Sequence, residues 1–406
     1  MVMHRCGGRR GHSKGGHAPN LLVATLQVIR RGCLLIANTG LTQRRAAIEG
    51  AVLGHSRING YVIHGAQTRD NMEAQSFVRS DLLPTIGPSE PVTSDWSLLD
   101  SVAGDLYHAG RPDIALEMIE AAIQTRPLDG NLHFIHGRML AASNRRADAL
   151  AALSLALALG TEREILTVVA DVAFPGPCYK EHLAWLHRHL NPATYLEIGV
   201  FRGETLCLAR PGTSAIGVEP VPRPEANRVY QADTLVHQLT SDAYFAAISV
   251  GEIASPAPIG LAFIDGVHLF EQVLHDFINT EKQCQRDGVI MLHDTLPIAS
   301  AAATRQRATS FWCGDVWKVI SCMKRYRPDL STLTIPTHPS GLTLVTGLDP
   351  NSTVLADCFE LAMREFLDAP VMPVDMEGGS LGDVPNDWRS VWKWLAATPA
   401  GEKLIR

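Results

Sequence analysis

Two apolar runs, each ending abruptly in acid and histidine, constrain this chain most. Ile259-Gly260-Leu261-Ala262-Phe263-Ile264 closes on Asp265-Gly266-Val267-His268, and Gly288-Val289-Ile290-Met291-Leu292 closes on His293-Asp294-Thr295. Runs with no polar alternation mark strands buried on both faces, as in the middle of a parallel sheet. After the first run, Leu269, Phe270, Val273, Leu274, Phe277 and Ile278 recur at helical spacing, so one face of that helix is buried. Strand, helix, strand in this order predicts an α/β fold. Ligands of an open α/β sheet sit beyond the carboxyl ends of its strands, so Asp265, His268, His293 and Asp294 are expected at one rim. Four ionisable groups on two strand tips suit chemistry better than core filling. Asp265 and Asp294 offer hard oxygens to a divalent cation such as Mg²⁺, which lowers the pKa of a substrate hydroxyl. His268, one turn into the helix, is placed to take the hydroxyl proton as general base.

Upstream, Thr194-Tyr195-Leu196-Glu197-Ile198 leads into Gly199-Val200-Phe201-Arg202-Gly203, with a helix expected from Glu204. Glycines allow a sharp turn and close approach of a ligand to backbone. The spacing differs from the G-x-G-x-x-G of dinucleotide folds, and Glu197 puts on the strand a carboxylate that suits a cationic amino-acid moiety better than pyrophosphate. A second strand, Ser214-Ala215-Ile216-Gly217-Val218, ends at Glu219, 22 residues beyond Glu197. An acid there can accept both ribose hydroxyls. Arg228–Asp233 is the candidate third strand. Asp233 and the pair Ser241-Asp242 both stand as candidates for an adenine edge, the pair being preferred.

Together these residues resemble the class I methyltransferases that use S-adenosylmethionine. The resemblance implies a doubly wound, seven-stranded Rossmann-like sheet, with Glu197, Gly199, Gly203, Glu219, Ser241 and Asp242 at the cofactor. The strand-tip pattern is similar to that of a branch methylating hydroxyls of sugars and glycosylated natural products. Carried over, Asp265 and Asp294 are metal ligands and His268 is the base. His293 stands where that branch has a Glu; as a third ligand, its imidazole favours Mn, Fe or Zn over Mg. The run Gly314-Asp315-Val316-Trp317-Lys318 resembles the same branch, so Asp315 and Trp317 are expected near the substrate. Phe311 to Lys318 is expected to open a helix, and Thr332–Ile335 with Gly341–Val345 to close the sheet as an antiparallel pair.

Between Trp96 and Leu159 an apolar helical pattern repeats after 34 residues: Ala103 answers Gly137, Leu106 answers Leu140, and Ala115 answers Ala149. This resembles the tetratricopeptide repeat, although Leu99 stands where a Trp is typical and two repeats are readable. Such repeats imply a protein-binding face or a brace for the next domain. The expected organisation is an extension at 1–90, helical repeats at 91–174, the methyltransferase domain at 178–350 and a helical tail at 351–406 that packs or covers.

Residues 1–70 carry a charge of +8 against −14 for the remaining residues, in a chain of 406 with net charge −6. No global basic field suits nucleic acid, and no apolar run approaches a membrane span. The first 90 residues are expected to be disordered or an extension, and the basic part before Met72 to lie upstream of the true start. Eight scattered cysteines without a C-x-x-C pair suit a reducing, cytoplasmic setting. The leading expectation is O-methylation of a hydroxyl on a sugar, polysaccharide precursor or glycosylated small molecule. The alternatives are an NAD(P)-dependent oxidoreductase and a non-catalytic interaction protein in which a degenerate nucleotide-binding domain follows the repeats.

Overall fold

The computed structural model describes residues 96–161, 165–225, 227–256, 258–368 and 382–404, together with three two-residue strands. Those strands, Arg57–Ile58, Tyr61–Val62 and Val78–Arg79, pair antiparallel within a separate unit, Met1–Thr93. The expectation of a poorly ordered extension at 1–90 lies otherwise outside the described residues.

The apolar runs become strands of one seven-stranded sheet: β1 (Thr194–Ile198), β2 (Ser214–Val218), β3 (Asp233–His237), β4 (Ile259–Ile264), β5 (Cys284–His293), β6 (Ser331–Ile335) and β7 (Leu342–Thr346). Their order is β3-β2-β1-β4-β5-β7-β6. The first five are parallel; β7 runs antiparallel between β5 and β6. Every residue of β1, β4 and β7 is buried, as expected for strands covered on both faces.

Two layers of helix sandwich the sheet. One face packs on α7 (Ser241–Ser249), α8 (Phe270–Glu281), α9 (Lys318–Tyr326) and the tail helices α10 (Val354–Asp357) and α11 (Phe359–Phe366). The other packs on α6 (Tyr179–Leu190) and α12 (Trp388–Ala396). The tail is thus part of both cores, through Leu355 and Ala362 on one face and Val391 and Leu395 on the other.

Before the sheet come α1 (Trp96–His108), α2 (Pro112–Thr125), α3 (Gly130–Ala142), α4 (Arg146–Leu159) and α5 (Ile165–Ala173). A Cβ on Gly137 would lie 2.6 Å from Leu153 Cγ, so glycine lets α3 and α4 approach closely. Phe134, Leu153, Ala156 and Val169 share a core with Ile298, Ala302 and Cys313, which lie after β5.

Three local expectations give way. The third strand is Asp233–His237, beginning where Arg228–Asp233 was expected to end. It is the sheet edge, so polar Thr234 and His237 are tolerated and no apolar run marks it. No α-helix starts at Glu204; a single 3₁₀ turn, Leu206–Leu208, precedes Arg210-Pro211-Gly212, which ends any helix. The helix after Phe311 starts only at Lys318.

Candidate functional site

At the carboxyl ends of β1 and β4 the backbones touch. The Asp265 N–H donates to Ile198 O at 2.8 Å, and the Gly199 N–H donates to Val218 O at 3.0 Å. Gly199 has φ +91°, and a Cβ there would lie 1.9 Å from Asp265 O. Any side chain would force the strand tips apart. Glu219, just past β2, accepts from the N–H of Phe201 at 3.1 Å (Oε2) and of Val221 at 3.0 Å (Oε1). Two fixed backbone donors thus hold its carboxylate at the rim.

These tips surround a cleft of about 740 Å³. Gly199, Glu219, Ser241, Asp242, Asp265, His268, His293 and Asp294 all line it. Asp233, at the far end of β3, does not; the adenine-edge candidate in the cleft is the Ser241-Asp242 pair at the start of α7. Glu197 and Gly203 do not line it either. Glu197 is fully buried and accepts from Tyr195 Oη at 2.6 Å and Thr205 Oγ1 at 2.7 Å. Burial pushes its carboxyl up to about 8, against the opposing pull of those two bonds. Gly203 (φ +73°) makes the second turn of the loop, where a Cβ would meet Tyr230 Oη at 2.3 Å.

The ionisable cluster sits at the tips of β4 and β5. His268 Nδ1 is 3.1 Å from Trp312 O and 3.1 Å from Asp294 Oδ2; Nε2 is 3.6 Å from Asp265 Oδ1. A carbonyl oxygen only accepts, so the Trp312 bond requires Nδ1–H and leaves the Nε2 lone pair to take a proton. The Trp312 ring stacks on His268, with centroids 5.2 Å apart and an interplanar angle of 17°. Asp294, in the left-handed region at φ +58°, accepts from Ser340 Oγ. Burial would raise its carboxyl, but His268 and His293 hold it well below the usual carboxylate range.

Asp265, His268 and Asp294 each present a ligand atom within 4.8 Å of the others, a group able to hold a divalent cation. The buried Asp294 Oδ2 faces this group, with His268 Nδ1 at 3.1 Å and His293 Nδ1 at 3.5 Å as ionisable neighbours. His293, expected as a ligand, falls outside the group. Its Nδ1 is 3.2 Å from Asp265 Oδ1 and 3.5 Å from Asp294 Oδ2. Burial alone would lower its pKa, yet the two carboxylates raise it well above the ordinary histidine value.

Asp315 and Trp317 are not among the residues lining the cleft. Asp315 is buried, accepting from the Phe270 N–H at 2.8 Å and from Arg305 Nη1 at 2.9 Å. Their neighbours Arg307, Phe311 and Trp312 line the cleft instead. The aromatic pair Phe311-Trp312, after a polar stretch, was the available signal; its orientation depends on the loop path.

A family model described as a methyltransferase domain matches residues 196–295, from β1 to just past β5. No curated protein matches the sequence. Among solved structures, a methyltransferase from Podospora anserina bound to S-adenosylhomocysteine is 15% identical, covering 44% of this chain and 82% of its own, with TM-score 0.33. An O-methyltransferase from Bacillus cereus, also with S-adenosylhomocysteine, is 12% identical over 50% and 90%, with TM-score 0.32. An O-methyltransferase of tomaymycin synthesis from Streptomyces achromogenes, with S-adenosylmethionine, is 15% identical over 48% and 94%, with TM-score 0.30. With the sheet order and the family match, the chain carries a class I S-adenosylmethionine-dependent methyltransferase domain. The NAD(P)-dependent reading gives way to it.

Proposed function

We propose that the protein transfers the methyl group of S-adenosylmethionine to a hydroxyl oxygen, on a sugar, a polysaccharide precursor or a glycosylated small molecule. The observation that carries this reading is the single cleft joining Gly199, Glu219 and Ser241-Asp242 to Asp265, His268 and Asp294. Glu219 accepts the ribose hydroxyls, Ser241 and Asp242 meet the adenine, and the Gly199–Gly203 turn cradles the methionine part. Glu197 acts from beneath, bracing Thr205 and the strand tip rather than touching the donor.

His268 Nε2 takes the proton of the acceptor hydroxyl. The oxygen attacks the methyl carbon in line; the O–CH₃ bond forms as the S–CH₃ bond breaks, and the sulfonium becomes a neutral thioether. Because the donor is already activated by its charge, alignment of the two reactants contributes much of the rate. Asp265 and Asp294 would hold a divalent cation, Mg²⁺ or Mn²⁺, which when bound lowers the hydroxyl pKa. The helical segment, as tetratricopeptide-like repeats, braces the cleft and offers a face to a protein partner.

Calorimetry with S-adenosylhomocysteine tests the donor half. Wild-type protein should bind, and Glu219→Ala should bind at least about tenfold more weakly. A labelled methyl donor with a carbohydrate panel tests the chemistry: His268→Ala should lose about 100-fold or more in turnover while keeping S-adenosylhomocysteine affinity. Absence of binding by the wild type would sink the reading. Binding without turnover on any acceptor would favour the non-catalytic alternative.

A further inference from the structure

Five carboxylates, two histidines and one arginine line the cleft. Glu219, Asp242, Asp265, Asp276 and Asp294 line it, and Arg307 is the sole Lys or Arg among the lining residues. Two arginines on the same segment have opposite surroundings. Arg305 donates to Glu271 at 2.7 and 2.8 Å and to Asp315 at 2.9 Å, so carboxylates neutralise it. Arg307 donates only to carbonyls: Nε to Thr309 O at 3.3 Å and Nη2 to Ser310 O at 2.7 Å. Those bonds hold the guanidinium without cancelling its charge, and no carboxylate pairs with it among the described residues.

Trp312 is in contact with both this charge and His268. Its ring centroid is 6.0 Å from Arg307 Cζ and 5.2 Å from the His268 ring centroid. His268 and Arg307 both line the cleft, each within about 6 Å of the centre of the Trp312 ring, so one small acceptor with its hydroxyl at His268 is within reach of Arg307. The donor's sulfonium and ammonium groups would be repelled by Arg307 and suit the carboxylates instead. A guanidinium with free donors matches the planar oxygens of a carboxylate or phosphate.

Building on the proposed methyl transfer, we propose that the acceptor is an anion. It is a hydroxyl compound bearing a carboxylate or phosphate, which pairs with Arg307 while the hydroxyl faces His268.

The test uses full-length protein saturated with S-adenosylhomocysteine, titrated separately with methyl glucoside, methyl glucuronoside and glucose 6-phosphate. Either charged probe should bind about tenfold or more tightly than the neutral one at low salt, and high salt should shrink the difference. The glucuronoside and phosphate arms separate the two sources of charge. Arg307→Ala should abolish the preference and Arg307→Lys should keep part of it. Equal binding of charged and neutral probes, or a preference that survives Arg307→Ala, overturns the inference. So does a loss of S-adenosylhomocysteine affinity in Arg307→Ala, which would assign the arginine to the donor's own carboxylate. Failure of wild-type protein to bind S-adenosylhomocysteine, by contrast, would remove the methyl-transfer reading on which the inference rests.

Discussion

Glu197 shares its buried face of β1 with Tyr195, and its carboxyl titrates near 8 because burial penalises the charged form. The unfolded chain ionises it near its ordinary 4.5. Between those values the folded state binds the extra proton, so the stability this group contributes is full below about 4.5 and is lost as pH rises through about 8. Glu197→Gln, which cannot ionise, should gain stability relative to wild type over that window, by an amount on the order of a few kcal/mol. Urea midpoints at pH 5 and pH 8.5 check this, and an unchanged difference between the two proteins would reject it. Asp265, His268 and Asp294 were legible as a group because each follows an apolar strand. Glu197 was legible as an acid on a strand, but its direction was not, since pleating alternates side chains between the two faces.

Among the elements, sequence pattern located those with strong periodicity. The continuous apolar runs of β4 and β5 and the buried stripe of α8 all stand where expected. Elements with weak signals were displaced: the edge strand β3, the 3₁₀ turn after Gly203 and the late start of α9. α8 and α9 are also tied at their carboxyl ends by a pair that no local pattern announces. Arg327 donates to Glu281 at 2.9 and 3.1 Å, and the two side chains are 2% and 4% exposed. Glu281 further accepts from the Asp349 N–H at 3.0 Å. Glu281→Ala leaves a buried guanidinium with only Asp329, and should cost about 3–5 kcal/mol. Chemical denaturation measures it; a cost below about 1 kcal/mol would show the pair to be replaceable by water.

Across the fold, the helical segment and the cleft are coupled through a shared core. Leu153 of α4 is fully buried in the cluster that includes Ile298, Ala302 and Cys313, and the Cys313 N–H donates to Ala302 O at 2.9 Å. This segment carries Arg307, Phe311 and Trp312 to the cleft. Leu153→Ala should cost about 2–5 kcal/mol. It should also raise amide exchange in residues 298–313 while leaving β1 and β4 protected. Equal exchange in that segment before and after the change would mean the helices do not support it. Among the described residues, no helix is long and apolar enough to cross a membrane.

The chain's sequence was enough to specify a parallel α/β sheet, its central strands and the strand tips where chemistry gathers. Buried strands must be apolar throughout, and a polar residue is cheapest where the strand ends, so these features are written locally. The surroundings of His293, Arg307 and Trp312 depended on three-dimensional packing. These surroundings come from contacts between segments apart in the chain: His293 with Asp265, Trp312 with His268, and α4 with the segment that carries Arg307 and Trp312. Such contacts follow from how layers pack, and no periodicity along the backbone encodes them.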